Sequence, residues 1–160
     1  MNDDLTALFR QHICQTSDAP LGLKVARASG AVIWDTEGRA HLDLLAGMGV
    51  ANVGHAHPEV IAAVRAQAER YLHVMVYGEF VQEPQVRLAA RLAGLLPEPL
   101  SMVFFTSSGT EAIEGALKTA RKHTGRAGLV AFEGGFHGDT FGALSIGGNP
   151  RYRTPFEPLL

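Results

Sequence analysis

Cysteine is nearly absent from this sequence of 160 residues, in which Cys14 stands alone. A lone cysteine excludes an intrachain disulfide, and it excludes zinc sites that are built from several cysteines. No apolar run approaches the roughly 20 residues that a membrane-spanning helix needs. Basic residues are not in excess either, because the net charge is −2 and no run of lysine and arginine occurs. We therefore expect neither a membrane nor a nucleic acid as a partner.

Two further features indicate the compartment. Scarce cysteine fits a reducing environment. The sequence also starts with Met1-Asn2-Asp3-Asp4, which is acidic and polar, whereas a secretory signal starts basic and then becomes apolar. Together they predict a cytoplasmic protein. Its composition is that of an ordinary globular domain, 46% apolar and 19% charged.

The first part of the sequence predicts a helix followed by a β-hairpin. Apolar residues recur at helical spacing within residues 4–15. Two apolar stretches within residues 32–44 flank the turn Asp35–Gly38, where the glycine suits a positive φ. A loop punctuated by glycines follows over residues 46–54. We place residues 1–56 in an N-terminal segment that contributes to a smaller domain.

The rest of the sequence predicts the start of an α/β domain. After two helices, apolar runs at 102–106 and 128–132 flank a helical pattern at 111–123. Strand, helix and strand at this spacing are typical of a right-handed βαβ unit in a parallel sheet. We assign residues 57–160 to the start of this larger domain.

A short polar stretch, Ser107-Ser108-Gly109-Thr110, joins the first of these strands to its helix. Ser108 and Glu111 have the spacing of a capping box, which explains them as an ordinary helix start. The same turn also suits an anion, because free amides and the helix dipole meet there and a glycine lets a phosphate approach. Hydroxyls of Ser108 and Thr110 would add hydrogen bonds. The residues alone leave both interpretations open, although the spacing matches neither a P-loop nor a dinucleotide fingerprint.

Glycines also frame an aromatic residue after the second predicted strand, in the stretch Glu133–Thr140. The carboxyl ends of parallel strands open on one edge of a sheet, so we expect this loop at the same crevice as residues 107–110. Phe136 between glycines suits stacking on a planar ligand. His137 and Asp139 are possible acid–base groups, although a loop histidine more often makes a structural hydrogen bond.

His55 and His57 form a His-x-His pair that invites a metal interpretation. The sequence provides no cysteine, Glu-x-x-His pair or third nearby histidine to complete a site. Pro58 directly after the pair is typical of a helix start. We therefore expect no metal.

Taken in order, these motifs resemble the N-terminal portion of class III (ω-amino) aminotransferases, which are pyridoxal-phosphate enzymes of fold type I. The resemblance covers nearly the whole sequence. It implies an incomplete large domain, mostly a parallel sheet with flanking helices, preceded by the N-terminal helix and hairpin. The motifs that carry it are Trp34-Asp35 through Leu42-Asp43, Gly49 to Pro58, Ser107 to Ala112 with Ala116-Leu117-Lys118, and Phe136-His137-Gly138.

The resemblance implies pyridoxal 5'-phosphate as the cofactor. Gly109 and Thr110 would bind its phosphate through backbone amides, with the hydroxyls of Ser108 and Thr110 assisting. Phe136 would stack on the pyridine ring, and His137 would help to shape the ring pocket.

The resemblance also implies substrates and a partner. An amine or ω-amino acid would donate the amino group and a keto acid would accept it, with Val50 and Tyr77 near the substrate entrance. Many relatives that use glutamate carry an arginine where this sequence has Asp139, and the form Phe-His-Gly-Asp-Thr looks like that of diaminopelargonate-type enzymes. Acetylornithine-like and diamine-like substrates stay open. A homodimer is implied for a full-length relative.

The family's catalytic lysine, which forms the Schiff base, belongs to a later segment. None of Lys24, Lys118 and Lys122, the lysines of this sequence, matches its position. Without that lysine the proton shuttle of transamination is missing, so we expect an aminotransferase fragment that is inactive alone. The alternative is a non-catalytic module that binds a phosphate ligand, or a remnant that needs a C-terminal partner chain. We also expect apolar surface to be left open, because a parallel sheet needs both faces covered.

Overall fold

The computed structural model describes residues 4–75 and 77–159. The acidic start at residues 1–3 lies outside this range, so the structure does not bear on it. The chain divides into two compact units, residues 1–80 and 81–160, and each is described by itself. The predicted domain boundary after residue 56 stays a prediction. None of the described helices is long and apolar enough to cross a membrane.

Within residues 4–75 and 77–80, the first unit holds three helices and one antiparallel sheet with the strand order β1-β2-β3. Its elements are α1 (Leu5–His12), β1 (Val25–Ser29), β2 (Val32–Asp35), β3 (Ala40–Leu42), α2 (Ala46–Gly49) and α3 (Pro58–Arg70). Strands β2 and β3 confirm the predicted hairpin, and β1 adds a strand that the sequence did not indicate. The predicted glycine loop contains the short helix α2, in which Gly47 and Met48 have positive φ values of 60° and 61°.

The carboxylate of Asp35 closes the hairpin turn. Its Oδ1 accepts the backbone amides of Glu37 and Arg39, each at 2.9 Å. Its Oδ2 accepts Arg39 Nε at 2.7 Å and lies 3.0 Å from His41 Nε2. The residue is only 3% exposed, and these hydrogen bonds, that of His41 first, hold the pKa of Asp35 well below its usual range. A buried carboxylate with this many donors fixes the turn in one conformation.

The second unit consists of helices and connecting segments in the described part of the chain. Its elements are α4 (Glu83–Ala93), α5 (Gly109–Thr124), α6 (Phe141–Ser145), α7 (Pro150–Arg153) and a 3₁₀ helix (Thr154–Leu159). The longest, α5, starts at the cap residue Ser108 and ends at Gly125, whose φ of 68° is left-handed. Glycine takes this conformation without steric cost, which explains where the helix stops.

The segments 102–106 and 128–132, predicted as two strands of a βαβ unit, form no strand in the described part of the chain. That prediction of secondary structure is wrong for a physical reason. A parallel strand exists only with a hydrogen-bonded neighbour about 4.8 Å away, and neither segment pairs with a described one. Their apolar side chains are consequently open to solvent, with Met102 95% exposed and Val130 100% exposed.

Candidate cofactor-binding site

The site begins at the first turn of α5. The hydroxyl oxygen of Ser108 accepts the backbone amide of Glu111 at 3.3 Å. In return the Glu111 carboxylate accepts the amide of Ser107 at 2.8 Å. The Ser108 half of the predicted capping box is therefore confirmed, while the reciprocal bond reaches the residue before the cap. This end of the helix is well capped, yet not all of its donors are used.

Two amides of this turn remain available to a ligand. Gly109 and Thr110 occupy the first two helical positions, whose N–H groups have no acceptor within the helix. The helix dipole adds partial positive charge at the same place. A Cβ placed on Gly109 would meet no atom within 4 Å, so the space directly over these amides is open. This geometry fits a phosphate group, which needs donors and close access to the backbone.

The loop before α6 lies directly against this turn. Gly138 has a φ of +118°, and a Cβ there would overlap Oγ1 and Cβ of Thr110. Only a glycine permits such close contact in this backbone conformation. The structure thus brings together the two motifs that the sequence placed at one crevice, Ser108–Thr110 and Phe136–Gly138.

Hydrogen bonds reinforce the same contact. Thr110 Oγ1 lies 2.7 Å from Thr140 Oγ1. Thr140 Oγ1 in turn donates to Glu114 Oε1 at 2.6 Å, and the amide of Ala143 donates to the same oxygen at 3.2 Å. The hydrogen bond from Thr140 is the main reason that the pKa of Glu114 lies below its ordinary value; partial burial opposes this shift, and Lys118 adds to it.

Sequence reasoning missed Glu114 and Thr140 as members of this cluster. One signal was available, since Thr110 and Glu114 are four residues apart and residues at that spacing share one face of a helix. No such signal exists for Thr140, which reaches the cluster through the fold of the loop.

The aromatic residue of the loop presents its ring to solvent. Phe136 is 66% exposed and contacts Tyr152 edge to face, with ring centroids 6.3 Å apart. His137 is half-buried, and Asp139 is exposed. A Cβ on Gly135 would lie 2.9 Å from His137 Nε2, so the glycine makes room for the imidazole. An aromatic face held open in this way is suited to stacking on a flat ligand.

The other predicted residues lie in the first unit. Val50 is 81% exposed after α2, and Tyr77 is 86% exposed before α4. Their assignment to a substrate entrance stays a prediction.

Within the His-x-His pair, His55 makes a hydrogen bond to a carboxylate of the same unit. His55 Nε2 lies 2.6 Å from Asp43 Oδ2, and this hydrogen bond is the main reason that the pKa of Asp43 lies below its ordinary value. Asp43 also accepts the amides of Leu45 and Ala46. No group of three or more histidine, cysteine, aspartate or glutamate side chains suited to a metal ion occurs within residues 4–75 and 77–159.

Comparison with known proteins places this geometry in a family context. The sequence profile of class-III aminotransferases matches residues 13–160. An acetylornithine aminotransferase of Methanopyrus kandleri is 50% identical over 131 residues, which cover 82% of this chain and 33% of that protein.

Solved structures agree with the profile. An adenosylmethionine-8-amino-7-oxononanoate aminotransferase from Methanocaldococcus jannaschii has a TM-score of 0.90 at 29% identity, covering 98% of this chain and 38% of its own. A thermostable (S)-enantioselective omega-transaminase from Thermomicrobium roseum has a TM-score of 0.84 at 34% identity, covering 92% and 36%. The likeness confirms the predicted fold class, that of fold type I transaminases. The chain spans about a third of the length of the proteins that it matches.

Proposed function

This chain belongs to the family of class-III aminotransferases, and from that premise we propose that it is the cofactor-binding N-terminal part of a pyridoxal-phosphate-dependent aminotransferase. The enzyme would transfer an amino group from an amine or ω-amino acid to a keto acid. The observation that carries the proposal is the contact of Gly138 with Thr110, because it joins a phosphate-type turn to an exposed aromatic ring.

Each residue of this cluster has a role in the proposal. The amides of Gly109 and Thr110, with the hydroxyl of Ser108, bind the phosphate. Phe136 stacks on the pyridine ring and His137 borders it. The bound cofactor supplies the electron sink for the transfer, while these residues bind and orient it.

The lysines of the chain support a binding role rather than turnover. Lys118 and Lys122 lie within α5, and Lys24 directly precedes β1. None of them matches the family's catalytic position, so we propose that the chain holds the cofactor without a covalent bond. Catalysis would then require a lysine supplied by polypeptide other than these 160 residues. The absence of a lysine at the catalytic position among these residues also favours a second candidate function, a non-catalytic module that binds a phosphate ligand.

Three finer points belong to the proposal. Val50, Tyr77 and Asp139 would lie near the substrate, and the exposed carboxylate of Asp139 disfavours a clamp for a substrate carboxylate at that position. The assembled enzyme would be a homodimer. The near absence of cysteine supports a cytoplasmic location.

The proposal is tested by binding the cofactor to the chain. Pyridoxal phosphate and pyridoxal are titrated separately, and the bound sample is treated with borohydride before dialysis. We expect the phosphate ester to bind about tenfold or more tightly than pyridoxal, since charge-assisted hydrogen bonds are worth roughly 1.5–3 kcal/mol, and we expect no cofactor to remain after dialysis. Equal affinities would contradict the phosphate site. Covalent trapping on a lysine would contradict the non-covalent mode.

A further inference from the structure

A hydrogen-bond chain of fixed direction runs from the first turn of α5 to the start of α6. If Glu114 is ionised, its carboxylate can only accept, so Thr140 gives its single hydroxyl proton to Glu114 Oε1 at 2.6 Å. Thr140 then has no proton left for Thr110. Because their Oγ1 atoms are 2.7 Å apart, the hydroxyl of Thr110 must be the donor between them. The protons therefore point from Thr110 through Thr140 to Glu114.

The same carboxylate is packed against α6. It accepts the amide of Ala143 at 3.2 Å, which is one of the first amides of that helix. A Cβ on Gly142 would overlap the carboxyl group of Glu114, so the glycine lets the two helices approach. With Gly138 against Thr110 at its other end, the loop between them is held at both ends.

We propose that Glu114 is a positioning residue for the cofactor site: through Thr140 and Ala143 it holds the Phe136–Thr140 loop on the first turn of α5 and directs the proton of the Thr110 hydroxyl away from the phosphate. The proposal rests on the proposed function. The sequence led us to expect that the hydroxyls of Ser108 and Thr110 would both donate to the phosphate, whereas this proposal leaves that role to Ser108 alone. The Ser108 oxygen accepts the Glu111 amide, which leaves its proton for a ligand.

The first test measures the loop without any cofactor. Hydrogen exchange at the Ala143 amide is followed in the full chain and in Glu114→Leu, Glu114→Gln and Thr140→Val. We expect exchange about tenfold faster in Glu114→Leu, since each lost hydrogen bond is worth roughly 1 kcal/mol. Thr140→Val, which replaces the hydroxyl with a methyl group, should show a smaller increase of the same kind. Glu114→Gln should stay within about threefold, because an amide oxygen accepts the same two bonds.

Glu98→Leu is the control, since it removes an exposed carboxylate of the same unit that lies outside both α5 and the chain of hydroxyls. It should leave Ala143 exchange unchanged. The proposal is overturned if Glu114→Leu exchanges like the unmodified chain, or if Glu114→Gln exchanges as fast as Glu114→Leu.

The second test separates the two hydroxyls by their effect on cofactor affinity. Pyridoxal phosphate binding is measured in Ser108→Ala and in Thr110→Val, which keeps the shape of threonine. We expect a loss of about tenfold for Ser108→Ala and less than about threefold for Thr110→Val. A larger loss of affinity in Thr110→Val than in Ser108→Ala would overturn the assignment of the Thr110 hydroxyl as a donor to Thr140. If the unmodified chain binds no cofactor while the exchange results hold, the proposed function fails and the positioning of the loop by Glu114 stands.

Discussion

Phe136 has an exposed ring in a loop that could have carried a polar residue. At 66% exposure the ring contributes little burial to the folded chain, and it meets the Tyr152 ring in an edge-to-face arrangement. An aromatic residue kept open beside a phosphate-type turn is explained if a flat ligand covers it. Binding of such a ligand would remove the exposed aromatic surface from water, which is favourable.

Substitution of Phe136 by leucine tests this explanation. The change should weaken pyridoxal phosphate binding by about two- to tenfold, because aromatic pairs are worth roughly 0.5–1.5 kcal/mol beyond burial. The melting behaviour should hardly change, since the ring is mostly outside the packed interior. Phe104→Leu, at a residue that is 83% exposed, is the control for loss of an exposed ring. Equal affinity in the Phe136 and Phe104 variants, measured by fluorescence titration, would count against stacking.

Among the elements, the β2–β3 hairpin depends most clearly on one ionised group. The pKa of Asp35 lies below its ordinary value of 3.8, chiefly because of the hydrogen bond with His41 and then that with Arg39. A carboxylate with a lowered folded pKa stabilises the folded state above the unfolded pKa, and the stabilisation is lost as pH falls through the folded value. The hairpin should therefore loosen only below about pH 3.8.

This pH dependence is measured by amide exchange at Glu37 and Arg39, whose N–H groups bond to Asp35. In Asp35→Asn the ion pair with Arg39 is lost at every pH, so these amides should exchange faster near neutral pH and show no further acid step. An acid step of the same size in Asp35→Asn would show that another group controls the turn.

Several elements could be predicted because their signals are local. Proline at the start of α3, the cap residue Ser108 of α5 and the turn Asp35–Gly38 each act on backbone within a few residues of themselves. Strand β1 was missed because its residues, Val25–Ser29, are largely exposed and show no clean alternation. The strand predicted at 102–106 was wrong for the opposite reason. Its apolar pattern indicates burial, but a strand also needs a hydrogen-bonded partner strand, which the pattern of one segment does not reveal.

For the candidate site, the two motifs could be predicted from the sequence, but the contacts that support them could not. The motifs at 107–110 and 133–140 were recognised from glycine and hydroxyl placement, and the structure puts them in contact through Gly138. Glu114 was not recognised as part of the site. Thr140 was noted only as the end of the second motif, and its contact with Thr110, thirty residues away in sequence, was not predicted. Contacts between side chains so far apart depend on how the loop folds and not on local pattern.

At the scale of the whole molecule, the chain leaves much apolar surface open. In its described part the buried apolar residues are Ala143 and Leu144. Large side chains such as Met102, Phe104 and Val130 are more than four-fifths exposed. Because the chain spans about a third of the length of its relatives, we expect another polypeptide to cover these exposed patches.

The 160-residue chain by itself should therefore bind the dye ANS and unfold over a broad temperature range, as loosely packed states do. Calorimetry and dye fluorescence on the purified chain measure both. The same chain mixed with the complementary C-terminal two-thirds of a class-III aminotransferase is the comparison, in which dye binding should fall. A sharp, cooperative transition of a monomer without dye binding would contradict this view of its surface.

Gly109 provides the most direct test of the central claim, that the first turn of α5 binds the phosphate of pyridoxal phosphate. A Cβ on Gly109 or on Gly128 meets nothing within 4 Å, so Gly109→Val and Gly128→Val should both leave folding nearly unchanged. Cofactor affinity, measured by equilibrium dialysis, should fall about tenfold or more in Gly109→Val, since the valine fills the space over two charge-assisted donors, and stay unchanged in Gly128→Val. Unchanged affinity in Gly109→Val would contradict the claim.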